Sequence, residues 1–205
     1  MSLPELETFR ATRRRTLELV AGLGQEQVDF APAPGKWSLA EVLDHLTRTD
    51  RIFRQELEVL VERGRSGGSA FLLRTLSDFD FRLPGVPRAL TPFFDLPLAF
   101  FSIALPRPVR QAIARSRAVP ARSPKIIEPK KGRAADDLCG ELAEYLEFVD
   151  DLVADNPGVR YKELYYYNPL TAFTDFPGLL SFTASHESRH QEQIEDILAS
   201  DGFPR

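Results

Sequence analysis

Two histidines, His186 and His190, stand four residues apart within Phe182-Thr183-Ala184-Ser185-His186-Glu187-Ser188-Arg189-His190-Gln191-Glu192-Gln193-Ile194. On a helix that spacing puts both imidazoles on one face, about one turn or ~6 Å apart along the axis. Two such rings can grip one divalent ion. The chain has three histidines in all, and the third, His45, lies far away in sequence. If the fold carries His45 across, three neutral imidazoles form a metal site with positions left for water or substrate, as in catalytic zinc sites. Zinc, nickel and iron all accept imidazole, which discriminates weakly among them. Gln193 shares the face of His186 and His190, where it can bond a metal-bound water or a ring nitrogen. Glu187 falls off that face, and Ser185 and Arg189 add no ligand. The competing reading has three metal-free histidines and a partly exposed glutamine.

Those residues need elements to hold them, and four amphipathic helices are predicted. In the first, at 3–21, Leu3, Leu6, Phe9, Leu17 and Val20 follow near-helical spacing, with Arg10, Arg13 and Arg14 on an expected solvated face. The second, at 38–63, opens on the capping box Ser38-Leu39-Ala40-Glu41. Its apolar stripe runs from Leu39 through Val42, Leu46 and Phe53 to Val61, with His45 at the edge. The third, at 135–155, has Asp136 and Asp137 at its positive end and stops at Asn156-Pro157-Gly158. The fourth, at 177–200, carries the histidine pair. Loops are expected at 25–37 and 159–176, the latter holding Tyr165-Tyr166-Tyr167 as a packed lid. No strand is evident, so the expectation is an all-α four-helix bundle.

Between the second and third helices lies a long insertion at 65–133, broken by prolines. Phe71-Leu72-Leu73, Phe93-Phe94 and Ala99-Phe100-Phe101 suggest short helices in it. Basic residues gather from Arg107 to Arg133, a solvated face or an anionic contact surface. Such aromatic content predicts that the insertion covers the bundle mouth or a partner surface.

Composition narrows the class. The 205 residues carry 26 basic and 30 acidic side chains, a net charge of −4. That balance points to no specific nucleic-acid partner and no acidic tail. The length suits a single domain, 1–205, with the insertion inside it. Cys139 is the one cysteine, so an intramolecular disulfide and a cysteine metal cluster are excluded. It reads as a small core residue rather than a nucleophile. No signal peptide, transmembrane segment, repeat or phosphate loop is seen. A cytoplasmic protein acting on a small molecule, compatible with a homodimer, is the expectation.

Two stretches carry a family resemblance. Pro32-Ala33-Pro34-Gly35-Lys36-Trp37-Ser38-Leu39-Ala40-Glu41-Val42-Leu43-Asp44-His45-Leu46 resembles the second-helix signature of the DinB/YfiT-like superfamily. His186-Glu187-Ser188-Arg189-His190-Gln191-Glu192-Gln193-Ile194 resembles its fourth-helix signature. The resemblance implies a DinB-like bundle with one metal on His45, His186 and His190. It also implies kinship with enzymes that use bacillithiol or mycothiol, including S-transferases and maleylpyruvate isomerase. The insertion departs from the small members.

Three functions compete. One is a metal-dependent transfer of a low-molecular-weight thiol to an electrophile, the metal favouring thiolate. Another is a metal-dependent hydrolase, for which no carboxylate is clearly placed as the base, Glu41, Asp44 and Glu187 being only nearby in sequence. The third is a non-enzymatic metal-binding or interaction protein. Trp37 either staples its loop to the core or lines the ligand cleft.

Overall fold

Four long helices build the body of the protein in a computed structural model that describes residues 3–67, 70–75, 78, 127–168 and 171–205. They are α1 (Pro4–Val20), α3 (Leu39–Arg65), α4 (Ala135–Ala154) and α5 (Phe176–Leu198). A short α2 (Gln25–Asp29) lies inside the expected loop at 25–37. The chain is mostly helical, as its apolar periods predict. No helix among the described residues is long and apolar enough to cross a membrane. The expected short helices at Phe93-Phe94 and Ala99–Phe101, and the basic residues Arg107 to Lys125, lie outside the described residues.

Local chemistry sets the helix ends that matter. The Ser38 hydroxyl accepts from the Glu41 N–H at 3.2 Å, and the Ser38 N–H donates to Glu41 Oε2 at 2.9 Å. This reciprocal cap fixes the start of α3, two turns before His45. At α5, Asp175 accepts from the Gly178 N–H at 2.7 Å, and Pro177 occupies the first turn.

Two apolar clusters follow. Leu39, Val42, Leu43 and Leu46 of α3 pack with Leu138, Leu142, Ile194 and Ile197. Further along α3, Phe53, Leu57, Leu60 and Val61 pack with Leu6, Phe9, Tyr145, Val149, Leu179 and Leu180. At ~25 cal/mol per Å² of apolar surface removed from water, these two faces dominate the favourable energy. Gly64, inside the last turn of α3, permits a close approach: a Cβ there would lie 2.6 Å from Leu164.

Among the described residues, three short strands correct the expectation of none. They are β1 (Ala70–Leu73), β2 (Leu164–Asn168) and β3 (Ala172–Asp175), in the order β1-β2-β3. β1 runs parallel to β2 with Leu72 opposite Tyr166, and β3 runs antiparallel to β2 with Thr174 opposite Tyr166. Phe71-Leu72-Leu73, expected to be helical, is therefore β1. The loop expected at 159–176 holds β2 and β3, and Tyr165-Tyr166-Tyr167 is strand rather than lid. Each run is too short to display a period of two, and β1 finds its partner far along the chain.

Arg13 is the second correction. It is expected on a solvated face but is 0% exposed. Its Nε donates to both Glu187 oxygens of α5, at 2.9 and 3.1 Å. Nη1 and Nη2 donate to Asp50 of α3 at 2.8 and 3.1 Å. Nη1 also donates to the Leu142 carbonyl of α4 at 2.9 Å. One side chain from α1 thus touches each other long helix. Removing one member of a buried ionic group strands the rest. Arg13→Met is therefore expected to cost about 3–5 kcal/mol, as one partner of a buried ion pair does. Urea denaturation with an unchanged m-value measures this. A loss under about 1 kcal/mol would show that water reaches the two carboxylates.

Candidate metal centre

The centre forms where α3 faces α5. α3 contributes His45, almost fully buried at 3% exposure, and α5 contributes His186 and the buried His190. His186 Nε2 lies 3.3 Å from His45 Nε2 and 3.3 Å from His190 Nε2. One ring nitrogen from each residue falls within 4.8 Å of the others. Two nitrogens bound to one ion at ~2.0–2.1 Å, with a tetrahedral angle between them, stand ~3.3 Å apart. The three histidines could hold a metal ion on these distances.

Proton placement gives a sharper test of fit. His45 Nδ1 is 2.8 Å from the Ile127 carbonyl, which can only accept, so the proton sits on Nδ1. His190 Nδ1 is 3.1 Å from Gln193 Oε1, which likewise accepts. In the neutral rings both Nε2 atoms are then bare lone pairs. His186 Nε2 can give a proton to one of them at most. At least one lone pair is left facing nitrogen without a proton between, an arrangement that a cation resolves.

The surroundings keep the rings neutral. Burial, followed by the fields of His190, His45 and Arg189, holds His186 well below its ordinary pKa of 6.5. Burial first and His45 next push His190 down to about 3, against the Gln193 bond. Burial also lowers His45, although the Ile127 carbonyl pulls the other way. Neutral imidazole is the form that ligates a metal.

Aromatic walls complete the centre. Trp37 lies 5.1 Å from the His45 ring and is stacked 6.4 Å from His190, while Phe182 is stacked 6.2 Å from His186. Trp37 also packs against the apolar core beneath α3. It staples the loop and shapes the site together.

The three carboxylates weighed as a hydrolytic base, Glu41, Asp44 and Glu187, are already engaged. Glu41 caps α3. Glu187 takes Arg13 and the Thr16 hydroxyl, the latter at 2.6 Å. Asp44 accepts from Arg48, Arg133 and the Lys130 N–H. Cys139 is half-buried, and burial first, then Asp136, raises its thiol pKa, against a nucleophilic role. Sequence reasoning missed the Ile127 carbonyl, because a backbone acceptor on a distant segment has no side-chain signature.

Residues 8–194 match the family model of the DinB superfamily. The chain belongs to the DinB superfamily. No curated protein and no solved structure matches it. In this DinB-superfamily protein the match runs from α1 into α5 and includes all three histidines and the segment between α3 and α4.

The lowered histidines couple to stability in the metal-free protein. A folded pKa below the unfolded one means that the unfolded chain binds more protons, so stability falls as pH falls. For His190 the window runs from its ordinary 6.5 down to about 3. Each such group contributes a slope of up to about 1.4 kcal/mol per pH unit inside its window. His190→Gln should flatten the stability profile of the metal-free protein between pH 6 and about 4 relative to wild type. Parallel profiles, from urea titrations at each pH, would contradict the buried neutral ring.

Proposed function

We propose that His45, His186 and His190 hold one divalent ion, zinc or nickel, and that the protein transfers a low-molecular-weight thiol to an electrophilic small molecule. The observation that carries this is the convergence of three imidazole nitrogens, those of His45 and His190 buried and bare, at coordination spacing. Bound there, the ion would supply a Lewis acid that favours thiolate over thiol and leaves a position open for it.

The chain's own residues supply the rest. His45 and His190 are oriented by the Ile127 carbonyl and Gln193, so their lone pairs point inward without rearrangement. Trp37 and Phe182 give the site apolar walls, and a drier surround strengthens attraction for an anionic ligand. Arg189, half-buried and without an ion-pair partner among the described residues, adds a positive field at all three rings. That field favours a bound thiolate. A hydrolase would gain from a free carboxylate base beside the ion. Glu41, Asp44 and Glu187 are each tied to other partners, so the thiol reading is the better supported.

Elemental analysis of untagged protein is expected to give about one zinc or nickel per chain, as a single three-histidine site holds. His186→Ala or His190→Ala should abolish metal retention while circular dichroism keeps most of the helix signal, because the apolar clusters hold the bundle. The loaded protein should then consume thiol with one or more members of an electrophile panel. Metal retained by both variants would remove the site, and a loaded protein inert to every thiol would leave a metal-binding protein without this activity.

A further inference from the structure

Residues 127–133, the return from the insertion, are gripped by two consecutive residues of α3. His45 donates from Nδ1 to the Ile127 carbonyl at 2.8 Å. Asp44, 0% exposed, accepts from the Lys130 N–H at 2.7 Å and from Arg133 Nη1 at 3.0 Å. Arg48 adds a third donor, at 2.6 Å to the oxygen that takes Lys130. Arg133 also reaches Glu141 of α4 with both Nη atoms, at 3.1 and 2.9 Å. The strap is therefore tied to α3 and α4 close to the atom that orients His45.

We propose that Asp44 is a positioning residue for the metal site. Its buried carboxylate holds the strap so that the Ile127 carbonyl keeps the proton of His45 on Nδ1 and the lone pair on Nε2. The proposal rests on the three-histidine reading. The buried Ile127 side chain anchors the segment to the core, but a side-chain anchor does not by itself aim the backbone carbonyl at His45. Asp44 supplies that aim through the N–H three residues on. An extended chain covers ~10 Å in three residues, so fixing Lys130 and Arg133 leaves Ile127 a short tether. Outer partners that orient a ligating histidine are worth 10–100-fold in metal affinity.

The test compares wild type with Asp44→Ala and Asp44→Asn, which keeps one acceptor. Nitrogen-15 NMR of the metal-free proteins reads the His45 tautomer directly. Wild type should show one Nδ1-protonated form, and Asp44→Ala an averaged pair of forms. Zinc affinity by competition with a chelating dye should fall about 10–100-fold in Asp44→Ala, and less in Asp44→Asn. If Asp44→Ala does not fold, Asp44→Asn and Arg133→Gln carry the same two measurements. A merely structural staple would lower the unfolding midpoint and leave the tautomer and the zinc affinity as in wild type, and that result would overturn the proposal. Failure of wild type to bind zinc would instead sink the metal reading, and the tautomer measurement would still decide the role of Asp44.

Discussion

A buried arginine fixes how the helices of this bundle face one another. Arg13 brings a guanidinium from α1 to Asp50 of α3, the Leu142 carbonyl of α4 and Glu187 of α5. The planar fork of donors allows one orientation of each partner, so it sets rotation as well as distance. Burial opposes its charge, yet Asp50 and Glu187 more than compensate and raise its pKa. Phe9 and Tyr145 face the guanidinium from 5.2 and 5.7 Å, contacts that suit a cation more weakly hydrated than an ammonium. The group carries two acids for one base, and burial lifts the Asp50 carboxyl to about 6 against the pull of Arg13. Such an arrangement specifies geometry at some cost in stability.

That geometry is inherited by the histidines. Glu187 lies between His186 and His190 in sequence, and Asp50 lies little more than one turn beyond His45. Adjacent helix positions differ by ~100° of rotation. If α5 turned far enough to release Glu187 from Arg13, His186 and His190 would swing away from His45. The ionic clamp and the imidazole cluster therefore constrain the same two helices from different sides. Apolar packing alone tolerates rotations that a metal site with bonds of ~2.0–2.1 Å does not.

Much of this was legible in the sequence. His186 and His190 declared themselves by spacing, and the capping box at Ser38 and Glu41 placed the start of α3. His45 at the edge of an apolar stripe had to point inward or to a cleft. The sheet was hidden because β1 and β2 are brief and distant in sequence, and register between such segments is decided by tertiary contact. Arg13 was less hidden than it looked. It falls between Phe9 and Thr16 at the three- and four-residue steps that join Leu6 to Val20, all of them buried. A charge standing on the stripe itself, rather than beside it, marks a buried ionic partner. Reading Arg13 with its neighbours Arg10 and Arg14 obscured that, although Arg10 is half-buried and Arg14 exposed.

The Ile127 carbonyl shows where side-chain patterns stop informing. The bundle can deliver three imidazoles to one place, but a ring has two nitrogens, and which one carries the lone pair depends on its other contact. For His190 that contact, Gln193, is local and was readable from the helix period. For His45 it comes from the stretch that leads into α4. The segment between α3 and α4 is thus joined to the histidine cluster through its last residues. Its length can vary with little entropic cost, because loop closure depends only weakly on length. Its landing point cannot, since the strap must present a carbonyl to His45 and an N–H to Asp44 at once.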